Sequence, residues 1–183
     1  CIYKQTNQAV CDHRLLYRDI YVGEPGSIGD ARMFNRSPLC NYILFRNDMF
    51  SRGEHLLADG AYTLTDKVIV PYIRDRNNTP RQNTHNTILS SVRSAVERSF
   101  ALLKGKNRRL KTLPMKNLQY TNWHITSCFM LHNFILLNGE ECDGLEPQEM
   151  AVADDEAHLE ATMQEAQQLG AIKRENIAHL LHP

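Results

Sequence analysis

The stretch "LQYTNWHITSCFMLHNFILLNGE", Leu118 to Glu140, constrains the fold more than any other part of the chain. It reads as one long helix, apolar on nearly all sides, stopped by Asn138 and Gly139. A helix with no polar face is expected to be buried. Burial needs a second layer, and the other segments can build one. Gln8 to Cys11 and Leu15 to Val22 are extended runs, joined by Asp12, His13 and Arg14 as a hairpin turn. Gly23, Pro25 and Gly26 break the second run. Ser27 then caps a helix through Met33 that ends near Pro38, with Asp30 in its first turn, where the helix dipole favours an acid.

Farther on, residues 56–59 form a short apolar strand and Val68 to Ile73 another; Thr65 or Asp66 starts a turn between them. "RDRNNTPRQNTHNT" reads as a polar loop. "ILSSVRSAVERSFALLKGKNRRL" is a helix whose core stripe is Val92, Val96, Phe100 and Leu103, closed by Gly105. The acidic, alanine-rich end can form a surface helix with a weak apolar face. The order predicts a mixed α/β layout, a central sheet covered by helices. Residues 1–138 make one domain and residues 139–183 an acidic, partly helical tail.

A chain of 183 residues with 42% apolar residues suits one packed domain. No apolar run reaches the ~18 residues of a membrane span. The chain opens on Cys1, with no signal-peptide pattern, which points to a processed or truncated chain. Five scattered cysteines (Cys1, Cys11, Cys40, Cys128, Cys142) with no CxxC pair favour a reducing compartment over a disulfide framework.

The formal net charge of zero hides an asymmetry. Arg74 to Lys116 carries eleven Lys and Arg against two acids, a net +9; Gly139 to Pro183 carries eleven acids against two bases, a net −9. The first seventy-three residues hold eight of each sign. The basic block suits a polyanion and the acidic end repels or mimics one, although two solvated faces that attract each other would give the same pattern.

Three features could carry chemistry. In "HLLADGAY" (His55 to Tyr62), Asp59 ends an apolar strand, the place where open α/β sheets put ligands; Asp-Gly is also an ordinary turn pair. Glu97 lies on the long helix beside Arg98 and four residues after Arg93, so it is either half of an i,i+4 ion pair or a metal ligand. His124, Cys128 and His132 share a helix face, but lacking an HExxH pattern they read more simply as hydrogen-bonded core groups than as a zinc site. "GEPGSIGD" lacks the Lys-Ser/Thr ending of a phosphate loop and reads as a turn plus helix cap.

Taken in order, "YVGEPGSIGDARMF", "HLLADGAY", "IVPYI", "SAVERSFALLKGKNRRLK" and "CFMLHNFI" resemble the PIF/Harbinger-type transposases, a group that includes the Harbinger transposase-derived nuclease. The similarity runs from about Gln8 to Leu137 and leaves out the acidic tail. It implies an RNase H-like mixed sheet flanked by helices and a nuclease with three acidic metal ligands. The second acid matches Asp59 and the third Glu97, with Asp30 in a segment near the site. The first acid lies on a first strand that would precede Cys1, and Asp12 and Asp19 do not replace it.

The implied cofactor is Mg²⁺ or Mn²⁺, the implied partner DNA, and the implied helper a Myb-like DNA-binding protein, in the nucleus or, alternatively, the cytoplasm. Arg93, Arg98, Lys104, Lys106, Arg108, Arg109 and Lys111 are the expected contacts to the DNA backbone. With two of three ligands, this chain is expected to bind metal weakly and cleave little; the whole protein would be a phosphodiester hydrolase. The rival expectation is a non-catalytic DNA-binding or scaffolding protein derived from a transposase.

Overall fold

A computed structural model describes residues 5–46, 49–51, 53–112, 117–137 and 156–181. The expected Asn138–Gly139 stop, Cys1, Cys142, Lys116 and the acidic residues before 156 lie outside these. The fold is mixed α/β, with two small sheets and five α-helices among the described residues. It divides into two compact units, residues 1–29 with 94–150 and residues 30–93 with 151–183.

The first unit is built on the antiparallel hairpin of β1 (Gln5–Cys11) and β2 (Tyr17–Pro25). Asp12 is the turn residue its position suggested. Its Oδ1 accepts the backbone N–H groups of Arg14 and Leu16, and its Oδ2 takes the Arg18 guanidinium at 2.7 Å. That bonding lets Leu15 sit at a φ of +66°, which a side chain with a Cβ rarely adopts. β2 does not stop at Gly23 as expected. It runs through it, because Gly23 takes a φ of +115° and a Cβ there would stand 2.6 Å from the Asn122 side-chain nitrogen.

α4 (Leu118–Leu136) packs across this hairpin, its start capped by Asn117, which accepts from the N–H groups of Gln119 and Tyr120. Asn133 clips the helix to the strand: its side chain accepts from the Tyr17 N–H and donates to the Tyr17 carbonyl, both at 2.8 Å. Around Tyr17 the core is Leu103, Ile125, Cys128 and Phe129, with the Tyr17 and Phe129 rings edge to face at 4.5 Å. The expectation that α4 is buried all round is wrong. Thr121, Ile125, Cys128, Phe129 and His132 face inward, while Trp123, Met130, Leu131, Phe134 and Ile135 are exposed.

The second unit begins with α1 (Asp30–Arg36) and α2 (Pro38–Phe45). Sequence reading put the start at Ser27 and the end near Pro38. In the structure Pro38 opens the second helix, since Ser37 is its N-cap and proline at the first helical position gives up a donor that is orphaned anyway. β3 (Leu56–Leu57) and β4 (Val68–Ile69) form a short parallel pair, continued by the Ala58 N–H bond to the Ile69 carbonyl. Val68, Ile69 and Val70 are buried with Met33, Phe34, Leu39, Cys40, Ile43 and Leu89. Burial pushes the Cys40 thiol up to about 12, which keeps it protonated and inert.

α3 (Pro80–Lys106) is longer than expected. "TPRQ", read as loop, is its start: the Thr79 N–H bonds the Gln82 side chain and the Gln82 N–H bonds the Thr79 hydroxyl, a reciprocal capping box with proline next in line. The buried residues are His85, Leu89, Ser99 and Leu103, so the expected stripe is displaced: Val92 is 54% exposed. α5 (Glu156–Leu181) lies on the second unit through small residues, not an apolar stripe. Gly170 meets the Thr65 backbone so closely that a Cβ would fall 2.4 Å from the Thr65 carbonyl carbon. Lys173 donates to the Glu54 and Asp66 carbonyls at 3.0 and 2.9 Å, and Tyr72 donates to Glu175 at 2.7 Å.

Candidate active site

Asp59 stands two residues past β3, at the carboxyl end of the parallel pair. Its side chain plays the ordinary turn role that Asp-Gly suggested. Oδ1 accepts the Ala61 N–H at 2.8 Å, and among the described residues no hydrogen bond reaches the second oxygen. The turn fixes the direction of the carboxylate. Its carbonyl accepts the Tyr62 N–H at 3.2 Å, which folds Tyr62 back over the turn.

Tyr62 is the residue that sequence reading missed. Its ring packs edge to face on Phe34 of α1 at 5.9 Å. Burial first, then the negative charges of Asp30 and Asp59, push its hydroxyl up to about 12, against a smaller opposite pull from Arg93. The phenol therefore stays protonated and can only donate or accept a hydrogen bond; it is no base near neutrality. The charges of Asp30, Asp59 and Arg93, all in one unit, act on this one hydroxyl. The signal was present as the aromatic closing "ADGAY", but nothing in the sequence tied it to Asp30, thirty-two residues earlier.

Asp59, the near-site Asp30 and one expected DNA-binding residue, Arg93, thus lie in one unit and all act electrostatically on Tyr62. Glu97 lies four residues beyond Arg93 on α3, exposed, in the first unit. Arg98 is exposed and donates to Ser94 at 2.7 Å. Lys104 sits 5.7 Å from the centre of the Phe100 ring, a cation–π contact. Lys106 closes α3, and Arg108, Arg109 and Lys111 follow in a single 3₁₀ turn (Arg108–Lys111), all exposed. This is a compact run of cations of the kind that holds a phosphate backbone by charge alone.

His132 is a core residue. Its Nε2 lies 3.0 Å from the Leu15 carbonyl, which can only accept, so this nitrogen carries the proton and is not open to a metal. Cys128 is buried, with its sulfur 3.9 Å from His124 Nε2. Among the described residues no group of three or more His, Cys, Asp and Glu side chains is placed to hold a metal ion. No helix of the described residues is long and apolar enough to cross a membrane.

Comparison with known protein families matches residues 3–133 to the DDE superfamily endonucleases, enzymes that act on DNA and generally use divalent metal ions. Comparison with curated proteins and with solved structures gives no match. The match covers well over half of the chain and spans the hairpin, the Asp59 turn, α3 and nearly all of α4, so this chain belongs to the DDE superfamily endonuclease family.

Proposed function

We propose that this chain is part of a divalent-metal-dependent DNA endonuclease or transposase-derived nuclease of the PIF/Harbinger type, on an RNase H-like frame. Family membership supports the nuclease class. The ordered match of the five quoted segments supports the subfamily. The observation that carries the reading is the Asp59 turn: a carboxylate at a strand end, held by the Ala61 N–H, whose second oxygen accepts no hydrogen bond among the described residues.

Mg²⁺ and Mn²⁺ take carboxylate oxygen, the donor type that Asp59 presents and that the family resemblance also assigns to Glu97. When bound, the metal supplies activation of water and stabilisation of the leaving oxygen. The chain's own residues hold and orient: Asp59 presents its oxygen, the Tyr62 hydroxyl stays protonated as a donor, and Arg98 through Lys111 bind the DNA backbone without reading sequence. Sequence recognition falls to a Myb-like partner, and the site of action is the nucleus.

The test is Mn²⁺-dependent nicking of supercoiled DNA by the full-length protein. Asp59→Ala and Glu97→Ala should each abolish nicking while DNA retention on a filter stays as in the parent. Nicking that survives both substitutions would remove these residues as ligands. One observation favours a second reading, a non-catalytic DNA-binding protein: the run of exposed cations from Lys104 to Lys111. That reading expects salt-sensitive DNA binding and no nicking by the full-length protein at any Mn²⁺ concentration.

A further inference from the structure

We infer that three consecutive residues of α5, Lys173, Arg174 and Glu175, are positioning residues for the Asp59 carboxylate, which makes this helix a working part of the nuclease site. The inference rests on the reading of Asp59 as a metal ligand. The family match ends at residue 133, so α5 lies wholly outside it. The helix nevertheless packs on β4, the partner of the strand that leads to Asp59, within the same unit.

The strand pair needs outside support. β3 and β4 pair over two residues each, and so short a pairing is marginal in water. Ala166, Gly170 and Ala178 of α5 are buried, and their small size lets the helix come close. The Ala166 carbonyl accepts the Asp66 N–H at 3.0 Å. The Lys173 ammonium then bridges the entrances of both strands, donating to the Glu54 carbonyl at 3.0 Å and to the Asp66 carbonyl at 2.9 Å. Leu56 and Val68 are register partners, and Glu54 and Asp66 each stand two residues before them. One side chain therefore holds the register of the pair.

The exit of β4 is held as well. Arg174 Nη1 donates to the Pro71 carbonyl at 3.4 Å, and its guanidinium lies 4.2 Å from the centre of the Tyr72 ring. The Tyr72 hydroxyl donates to Glu175 at 2.7 Å. α3 grips the backbone of the same tyrosine: its N–H donates to Asn86 Oδ1 at 2.8 Å, and Asn86 Nδ2 donates to its carbonyl at 3.0 Å. Pro71 passes this hold on to the site. Gly60, the residue after Asp59, lies where a Cβ would stand 3.8 Å from the Pro71 ring, an ordinary packing distance. Asp59 is thus bracketed, by the Ala58 N–H bond to the Ile69 carbonyl before it and by Gly60 against Pro71 after it. A functional oxygen has to be held within about 0.5 Å of its productive place, and supporting residues of this kind supply that precision.

The experiment has two readouts. The first is hydrogen exchange of the whole chain at Ala61, whose N–H donates to Asp59 Oδ1 and so reports on that carboxylate directly. The second is Mn²⁺-dependent nicking by the full-length protein, separated into kcat and KM for DNA. Lys173→Met removes the bridging donor, Glu175→Ala removes the Tyr72 acceptor, and Glu175→Gln keeps an acceptor. Gln168→Ala, at an exposed position of α5, is the control. Lys173→Met and Glu175→Ala should each speed Ala61 exchange and lower kcat by roughly tenfold with KM unchanged, because a misplaced ligand is felt in the chemical step. Glu175→Gln should behave as the parent, and so should Gln168→Ala. Amides of β1, β2 and α4 should keep their protection throughout. Ala61 exchange at the parent's rate in both Lys173→Met and Glu175→Ala overturns the inference. So does faster exchange with kcat unchanged, which would leave α5 a purely structural support, or an effect confined to KM. Glu175→Gln as impaired as Glu175→Ala counts against it too. A parent that does not nick overturns the endonuclease reading instead, and Ala61 exchange then decides the positioning by itself.

Discussion

The two units are held together by different means. The first closes around interlocking aromatic and aliphatic side chains: Tyr17 against Phe129 and Phe100, with Leu103 and Ile125 filling between. The second uses apolar burial too, but its long C-terminal helix is attached by close backbone approach at Gly170 and by polar side chains that reach backbone carbonyls, above all Lys173. Large side chains leave a hydrophobic signature in the sequence; a glycine contact and a lysine anchor do not. The acidic end therefore looked like a weak surface helix, although its described part is fastened to the unit that holds Asp59.

The contrast can be broken or sharpened by substitution. Phe129→Ala should be the most damaging, by about 4 kcal/mol, since it empties the centre of the first core. Hydrogen exchange should show the loss in β1, β2 and α4 while β3 and β4 keep their protection. Equal loss in both units would end the division. Gly170→Ala comes next, destabilising by roughly 2 kcal/mol: overpacking against Thr65 outweighs the gain in helix propensity. Denaturant unfolding followed on α5 amides reads it, and a neutral or stabilising result would mean that the close approach is not tight. Thr79→Ala should weaken the start of α3 by about 1 kcal/mol through loss of the capping box, seen as faster exchange of the first-turn amides alone.

The smallest effects are in pH dependence, and they run in opposite directions within one hairpin. Partial burial would raise the Asp12 carboxyl, but the bonds from Arg18, Leu16 and Arg14 outweigh it and hold it below the ordinary carboxylate value. Its contribution is complete above that ordinary value and is lost as pH falls through the lowered one. Burial holds Asp19 above the ordinary value, so its contribution is present below that value and is lost as pH rises through the raised one. Asp12→Asn should flatten acid unfolding, and Asp19→Asn should remove a loss of stability just above the carboxylate range, both read from thermal midpoints between pH 2 and about 6.

The candidate site was legible in part. Asp59 could be placed at a strand end because a short apolar run stopped by Asp-Gly has one simple reading, and the structure puts it there. Asp30 could be placed in a first helical turn for the same local reason. Tyr62 was invisible because its role depends on two acids and an arginine from three separate segments. The start of α3 is a different kind of miss. Thr79, Pro80 and Gln82 announce a helix, but the polar residues around them read as loop when composition outweighed capping chemistry.

Local chemistry in the sequence was enough to determine the hairpin and its Asp12 turn, the two long helices, the strand that ends at Asp59 and the run of cations after it. Those features rest on bonds between near neighbours or on the repeat of one element. Which side of α4 meets the core, which residues of α3 are buried and what the acidic end packs against were decided only by tertiary structure. An apolar helix does not say which of its faces will find a partner; that depends on where the Tyr17 strand, tied to it by Asn133, happens to lie.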